Sequence, residues 1–244
     1  MIGRFQTILL TICAATFISS WAFGQDAKQQ QQILDKLQEL GKIAQNTLDR
    51  LEIENLMGVY SLQNKGSVKP GDPDFRETIA EKAQGVCYGQ DSTYLYGDAA
   101  RKAMHGLNDP TLGKPGTLKV HLVSTGHIQI AEDGQTAKAA FYSPGFLTEV
   151  GTDGKPKSAW DYKRYGVDFI KENGKWRIWH LAEYTDFVTP PNVSWTEKVS
   201  IPNTTIKYQP WSLETGAQNK LKVPTPYRTF SETFSYCPAE GSKK

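Results

Sequence analysis

Trp160 to Tyr184 reads WDYKRYGVDFIKENGKWRIWHLAEY, and this stretch decides the fold. Two runs rich in aromatic and β-branched residues flank Asn173-Gly174, a dipeptide that readily takes the positive backbone torsions of a two-residue hairpin turn. Pairing the arms symmetrically about that turn puts Tyr165, Val167 and Phe169 on one side with Trp176, Ile178, His180 and Ala182. That side reads as a core or pocket face. On the other, Arg164 falls opposite Glu183 and Asp168 near Arg177, so cross-strand charge pairs predict a mostly wet surface. Trp179 and Leu181 share the wet side and suggest a partner surface there.

Moving upstream, Lys119 to Ala131 and Thr136 to Tyr142 flank Asp133-Gly134, which predicts a second hairpin. Earlier still the texture is helical. A first helix through Asp49 to Gln63 is expected to bury Leu51, Leu56, Val59 and Tyr60. A second is expected to begin near Asp72-Pro73, with Asp72 as its N-cap and Pro73 in its first turn. A third covers Asp98 to Leu107. Helices followed by an antiparallel meander give the α+β class, a curved antiparallel sheet covered on one face by the N-terminal helices.

Two further segments flank that body. Residues 25–46 carry Ile33, Leu37, Leu40 and Ala44 at alternating spacings of four and three, a seam that continues to Thr47 and Leu51. It fits an amphipathic helix lying on its own domain or an oligomer zipper, and the repeat is short for an independent coiled coil. Residues 1–24 have a basic start at Arg4, an apolar run from Ile8 to Phe23 and the small-residue exit Ala22-Phe23-Gly24. These are the marks of a cleaved secretory signal, so the chain is expected to be exported, periplasmic or secreted, with no membrane contact after cleavage. At the other end, residues 191–244 are rich in proline yet carry Trp195, Tyr208, Trp211, Tyr227, Phe230, Phe234 and Tyr236. Disordered tails are poor in aromatics, so this extension is expected to pack on the domain.

Charge and cysteines narrow the function classes. With 28 basic and 26 acidic residues the chain has no field to concentrate nucleic acid, which is set aside as a partner. Beyond the signal, Cys87 and Cys237 either pair or stay as thiols, and the sequence leaves both open. No spacing of His, Cys and carboxylates suggests a metal, and no cofactor motif stands out.

Three segments carry a family likeness: Arg50 to Leu56 running on to Tyr60; His121 to Ile128 with Asp133-Gly134 and Thr136-Ala137; and Gly174 to His180. In that order they resemble the SnoaL-like, nuclear transport factor 2-like superfamily, in particular the branch with bile-acid dehydratases and scytalone dehydratase. The resemblance covers residues 47–190 and implies a cone-shaped α+β domain with an internal ligand pocket. It also implies that a tyrosine late in the first helix meets a histidine early in the sheet, and Tyr60 and His121 occupy those positions. The family's aspartates, five residues after that tyrosine and near the end of the hairpin's second strand, are replaced by Lys65 and Gly145. Asp161, or His180 and Arg101, would have to substitute.

The expected chemistry is that of a cofactor-independent lyase, a dehydratase or a retro-aldol-type formaldehyde-releasing enzyme, on a small, hydroxylated, aromatic molecule. His121 is the expected general base and Tyr60 the hydrogen-bonding acid. Phe141, Tyr165, Trp176 and Ile178 are expected to wall the pocket, with Arg101, Asp161 and His180 as polar binding groups. Strict alternation groups His121 with His127 and Gln129, opposite Ile128 and Ile130, so its inward placement requires a bulge near Thr125-Gly126. The alternative is a non-catalytic domain that binds a small molecule or serves assembly. The expected partners are a small-molecule ligand and further copies of the chain, as a dimer or trimer.

Overall fold

A computed structural model describes residues 27–63, 71–106, 114–151, 153–197 and 221–242. The segment expected to be a signal, residues 1–24, lies outside the described residues, as do Lys65 and Leu107. Contacts divide the chain into two units, Met1–Thr47 and Leu48–Lys244. One helix, α1 (Ala27–Gln63), contributes to both. In the first unit its apolar residues Ile33, Leu37 and Leu40 are exposed.

In the second unit α1 buries Asp49, Ile53, Leu56, Met57, Tyr60 and Gln63, a stripe at helical spacing. Leu51, expected inside, is exposed. Its position continues the phase of the N-terminal seam, and the buried stripe follows a different phase. The residues after α1 do not form the helix expected at Asp72-Pro73; the chain makes a turn there, in which the Phe75 N–H donates to Asp72 O. The chain then lies along a strand edge, where the Ile178 N–H donates to Thr78 O and the Ala80 N–H to Ile178 O. Edge pairing satisfies these backbone groups while burying Ile79 and Ala80.

The sheet has seven strands: β1 (Cys87–Gln90), β2 (Thr93–Tyr96), β3 (Lys119–His121), β4 (Ser124–Ile130), β5 (Thr136–Val150), β6 (Pro156–Glu172) and β7 (Lys175–Thr189). Its order is β2-β1-β7-β6-β5-β3, with β4 also paired to β5. All pairs are antiparallel except β1 with β7. The β1–β2 hairpin was invisible in the sequence because its turn is Asp91-Ser92, both at positive φ (46° and 74°), a left-handed pair more usual for Asn-Gly. Helix α2 (Gly97–Met104) follows directly. Around Asn173-Gly174 the turn is the expected tight one, with Glu172 facing Lys175. Around Asp133-Gly134 the loop is longer, because the last bond across it runs from the Ala131 N–H to Thr136 O.

Register shifts decide the faces. On β7 the residue Trp179 is extra, since His180 pairs with Asp168 and Ile178 with Phe169. One inserted residue reverses every side chain beyond it. Leu181 and Glu183 therefore turn inward with Val167 and Tyr165, while His180 and Ala182 turn outward. The expected pairs of Arg164 with Glu183 and of Asp168 with Arg177 do not form. Arg164 instead meets Asp186, the extra residue of a second shift between Tyr162 and Lys163. Nor is Trp179 a bare partner surface, because it stacks on His180 at 4.2 Å and meets Phe230 at 4.7 Å.

The inner face of β4–β7 packs on the C-terminal half of α1, on residues 78–80 and on α2, forming the main core. The outer face is covered by the described part of the C-terminal extension, residues 221–242. Tyr236 lies over Gly166, where a Cβ would meet its ring at 2.2 Å. Tyr227 and Arg228 accept backbone bonds from Glu132 and Asp133, and a disulfide joins Cys237 to Cys87 on β1.

Candidate active site

The inner face carries an unusual set of polar side chains. At period two along β6, Asp161, Lys163 and Tyr165 all point into the core side, and Glu183 on β7 is the register partner of Tyr165. Lys163 Nζ bridges Asp161 Oδ2 at 3.1 Å and Glu183 Oε2 at 2.8 Å. Burial alone would pull the Lys163 ammonium down, but Glu183 and Asp161 outweigh it and hold the group above the usual lysine range. Glu183 is correspondingly held below the usual carboxylate range: burial acts against this, and Lys163 and then His121 overcome it.

His121 ends β3 opposite Gly145, and Gly145 stands opposite Asp161 on β6. A shift between Ser124 and His127, with Thr125 at φ 49°, lets His127 sit at a position facing away while Ile128 and His121 face in. The imidazole rests on Gly145, where a Cβ would come within 2.5 Å of Nδ1. A side chain at 145 would thus displace the histidine, and the carboxylate beside the ring comes from Asp161 instead. His121 Nε2 lies 3.6 Å from Asp161 Oδ2. Burial, and next Lys163, lower the His121 pKa, with Asp161 and Glu183 opposing, so the imidazole is neutral at pH 7.

Tyr60 is placed by the last turns of α1, and its neighbour Ser61 donates to the His121 carbonyl at 2.6 Å, which ties the helix end to β3. The Tyr60 phenol is 2% exposed. Burial pushes it well above its ordinary range, with Tyr165 and Glu183 adding and Lys163 opposing. Tyr60 and His121 thus flank the same Lys163–Glu183 pair. Tyr88 on β1 reaches Glu183 from the opposite edge, its phenol raised first by burial and then by that carboxylate.

Among the described residues, four buried polar atoms here lack a hydrogen-bond partner: His121 Nδ1, Ser143 Oγ, Asp161 Oδ1 and Tyr165 OH. Ser143 and Tyr165 are near enough for the serine to ease the tyrosine's burial-driven rise, without a bond of good geometry between them. Buried unsatisfied groups cost about 1–3 kcal/mol each, and a cluster of them marks a place where a ligand or water completes the bonding. In the tautomer that carries its proton on Nε2, toward Asp161, His121 has its lone pair on the unpartnered Nδ1.

The other expected site residues divide. Asp161, Tyr165 and Phe141 belong to this face, Phe141 as the register partner of Tyr165. Trp176 and Ile178 share it further along, where Trp176 donates to Asp49 Oδ1 at 3.0 Å and Ile178 is the pairing partner of Ile79. His180 is on the opposite face, bonded to Asp168 at 2.7 Å. Arg101 is occupied by the carbonyls of Ala80 and Glu81 and by Asp98, so it braces α2 against the preceding loop. Lys163, Glu183, Ser143 and Tyr88 were missed by sequence reasoning. Asp161 and Lys163 share the parity of Tyr165 along β6, a signal that could have found Lys163, while the shift at Trp179 hid Glu183. Among the described residues no group of three His, Cys, Asp or Glu side chains could hold a metal ion.

The profile of the SnoaL-like domain family matches residues 72–182. Residues 72–182 form a SnoaL-like domain. The chain is similar to LinA, at 9% identity over 66% of this chain and 99% of that one, with a TM-score of 0.49. A protein from Kribbella flavida is similar at 15% identity over 58% of this chain and 93% of its own, with a TM-score of 0.46. An NTF2-like protein with a cystatin-like fold from Novosphingobium aromaticivorans shows 18% identity over 66% and 90% of the two chains, with a TM-score of 0.35. No curated protein matches the chain.

Proposed function

We propose that this SnoaL-like domain is a cofactor-independent lyase for a small, hydroxylated, aromatic compound, with His121 as general base and Tyr60 as hydrogen-bonding acid. One observation carries the reading: an imidazole with an unpartnered Nδ1 stands beside Asp161, in a buried cluster with three further unpartnered oxygens, Asp161 Oδ1, Ser143 Oγ and Tyr165 OH. In an elimination, His121 takes the proton from carbon, the double bond forms, and the leaving hydroxide departs as water with a proton from the Tyr60 side. In a retro-aldol cleavage, His121 takes the hydroxyl proton, the carbon–carbon bond breaks to release formaldehyde, and the carbanion is reprotonated. Asp161 stabilises the imidazolium in either case, and charged Lys163 offsets the oxyanion.

The disulfide supports placement in an oxidising compartment such as the periplasm or the exterior. The exposed seam of α1 supports assembly into a homo-oligomer, dimer or trimer. A second reading, a non-catalytic binder, is favoured by the near-complete burial of the Tyr60 phenol. The two are separated by incubating the mature protein with hydroxylated aromatic compounds and following loss of water or formaldehyde by mass spectrometry. His121→Ala should keep the fold and lower turnover by about 100- to 10,000-fold, the usual contribution of a general base. Undiminished turnover in that variant removes His121 from the mechanism, and no turnover of any compound by the intact protein leaves the binder.

A further inference from the structure

The inner cluster has an uneven charge count. Asp161 and Glu183 bring two carboxylates, Lys163 one ammonium, and the buried tyrosines Tyr60, Tyr88 and Tyr165 stay uncharged. His121, neutral at pH 7, does not restore the balance. Lys119, half-buried on β3, is the next cation that His121 senses, while Arg101 is committed elsewhere. The excess negative charge lies where water is scarce, and its unsatisfied atom is the buried Asp161 Oδ1: the other oxygen faces Lys163, but Oδ1 accepts from no described residue. Ser143 Oγ and Tyr165 OH, the other two orphan oxygens, come from the neighbouring inward positions of β5 and β6.

We propose that the site selects an uncharged ligand by a hydroxyl that donates to Asp161 Oδ1 and accepts from Ser143 or Tyr165, and that it rejects the same molecule bearing a carboxylate. An anion would add a second uncompensated charge next to Asp161, and like charges brought together in a desolvated site repel by far more than the factor of ten that a binding assay needs. A hydroxyl supplies what the orphans lack, one donor and one acceptor on a single atom. A cationic amine meets the charge count but cannot accept from Ser143 or Tyr165. This inference rests on the inner cluster being the ligand site, as the proposed function has it, but not on catalysis.

Benzyl alcohol, benzylamine and benzoate share a ring and differ in that one group. Their binding to the full chain at pH 7 is read by ligand-observed NMR titration at millimolar concentration. Benzyl alcohol should bind at least about tenfold more tightly than benzoate and more tightly than benzylamine. Glu183→Gln, which removes one negative charge and keeps the shape, should narrow the gap between alcohol and benzoate, and Asp161→Asn should erase the preference for the alcohol. Equal or tighter binding of benzoate or benzylamine, or binding of none of the three, overturns the proposal. Alcohol-selective binding by a protein that turns nothing over sinks the lyase and leaves this selection standing; turnover of hydroxylated compounds with benzoate as an equal ligand does the reverse.

Discussion

The two faces of one sheet carry nearly the same chemistry and treat it differently. On the inner face a buried lysine, Lys163, joins two carboxylates near His121; on the outer face a buried lysine, Lys138, meets Asp168 at 2.6 Å beside His180. Outside, the carboxylate is fully engaged. Asp168 accepts from Lys138, His180, Ser235 Oγ and the Tyr236 N–H, and Lys138 sits 4.3 Å from the Phe230 ring centroid and 4.8 Å from that of Phe234. Inside, four polar atoms are left over. A saturated network holds a structure together, and here it fastens the C-terminal extension to the sheet. A network with open valences is held ready for something else.

The comparison breaks most visibly at the disulfide. Cys87 and Cys237 close a loop of 150 residues, for which the chain-entropy model gives about 5 kcal/mol. Cys87→Ser with Cys237→Ser should lower the urea-unfolding free energy by close to that amount while the inner face still binds its ligand. Loss of ligand binding at a temperature where the variant is folded would show that the two faces are not independent.

Next in size is Asp168→Ala. It leaves the fully buried Lys138 ammonium without its counter-ion, and breaking a buried pair in this way costs about 3–5 kcal/mol. Replacing both partners together, Lys138→Met with Asp168→Leu, should recover much of the loss in the same denaturation experiment. If the double variant is as unstable as the single one, the bonds from Ser235 and Tyr236, rather than the charge pair, fasten the extension.

Asp161→Asn is the matching change on the inner face, and its effect should fall on activity. Lys163 keeps Glu183, so stability should change by about 1 kcal/mol or less, while turnover should drop about 100-fold as the imidazolium loses its stabilising carboxylate. A loss of stability as large as that of Asp168→Ala would mean the inner cluster is scaffolding like the outer one.

The sequence carried the α+β order and the Asn173-Gly174 hairpin well, because each depends on local signals, helical periodicity and turn chemistry; the pairing of Tyr60 with His121 came from the family resemblance, since strand parity alone grouped His121 with the outward His127. It failed where one residue changed the count. Trp179 is extra in its strand for tertiary reasons, with its indole donating to Gln84 O and its ring against Phe230, and neither partner is near enough in sequence to announce it. That single insertion moved His180 out of the site and Glu183 into it. The segment after Gly71 misled in another way: Asp-Pro is a sound helix start, but the open edge of β7 offered Thr78 and Ala80 better-placed partners.

The smallest expected effect is on pH dependence, and it tests whether His121 belongs to the open cluster. Burial and Lys163 depress its folded pKa below the ordinary histidine value of about 6.5, against the pull of Asp161 and Glu183. The unfolded chain therefore binds this proton more readily than the folded one. Stability from a neutral His121 is fully present above about pH 6.5 and is lost as pH falls through the folded value. For the same reason the acid limb of kcat/KM should lie below about 6.5, since the neutral ring takes the substrate proton. Measuring unfolding free energy against pH for the wild type and His121→Gln should give curves that run parallel above that point and converge or cross below it. If the acid limb lies above 6.5 and the curves diverge the other way, Asp161 holds the ring as a cation: the inner face would then be a closed, charge-balanced network like the outer one, and His121 could not act as a base.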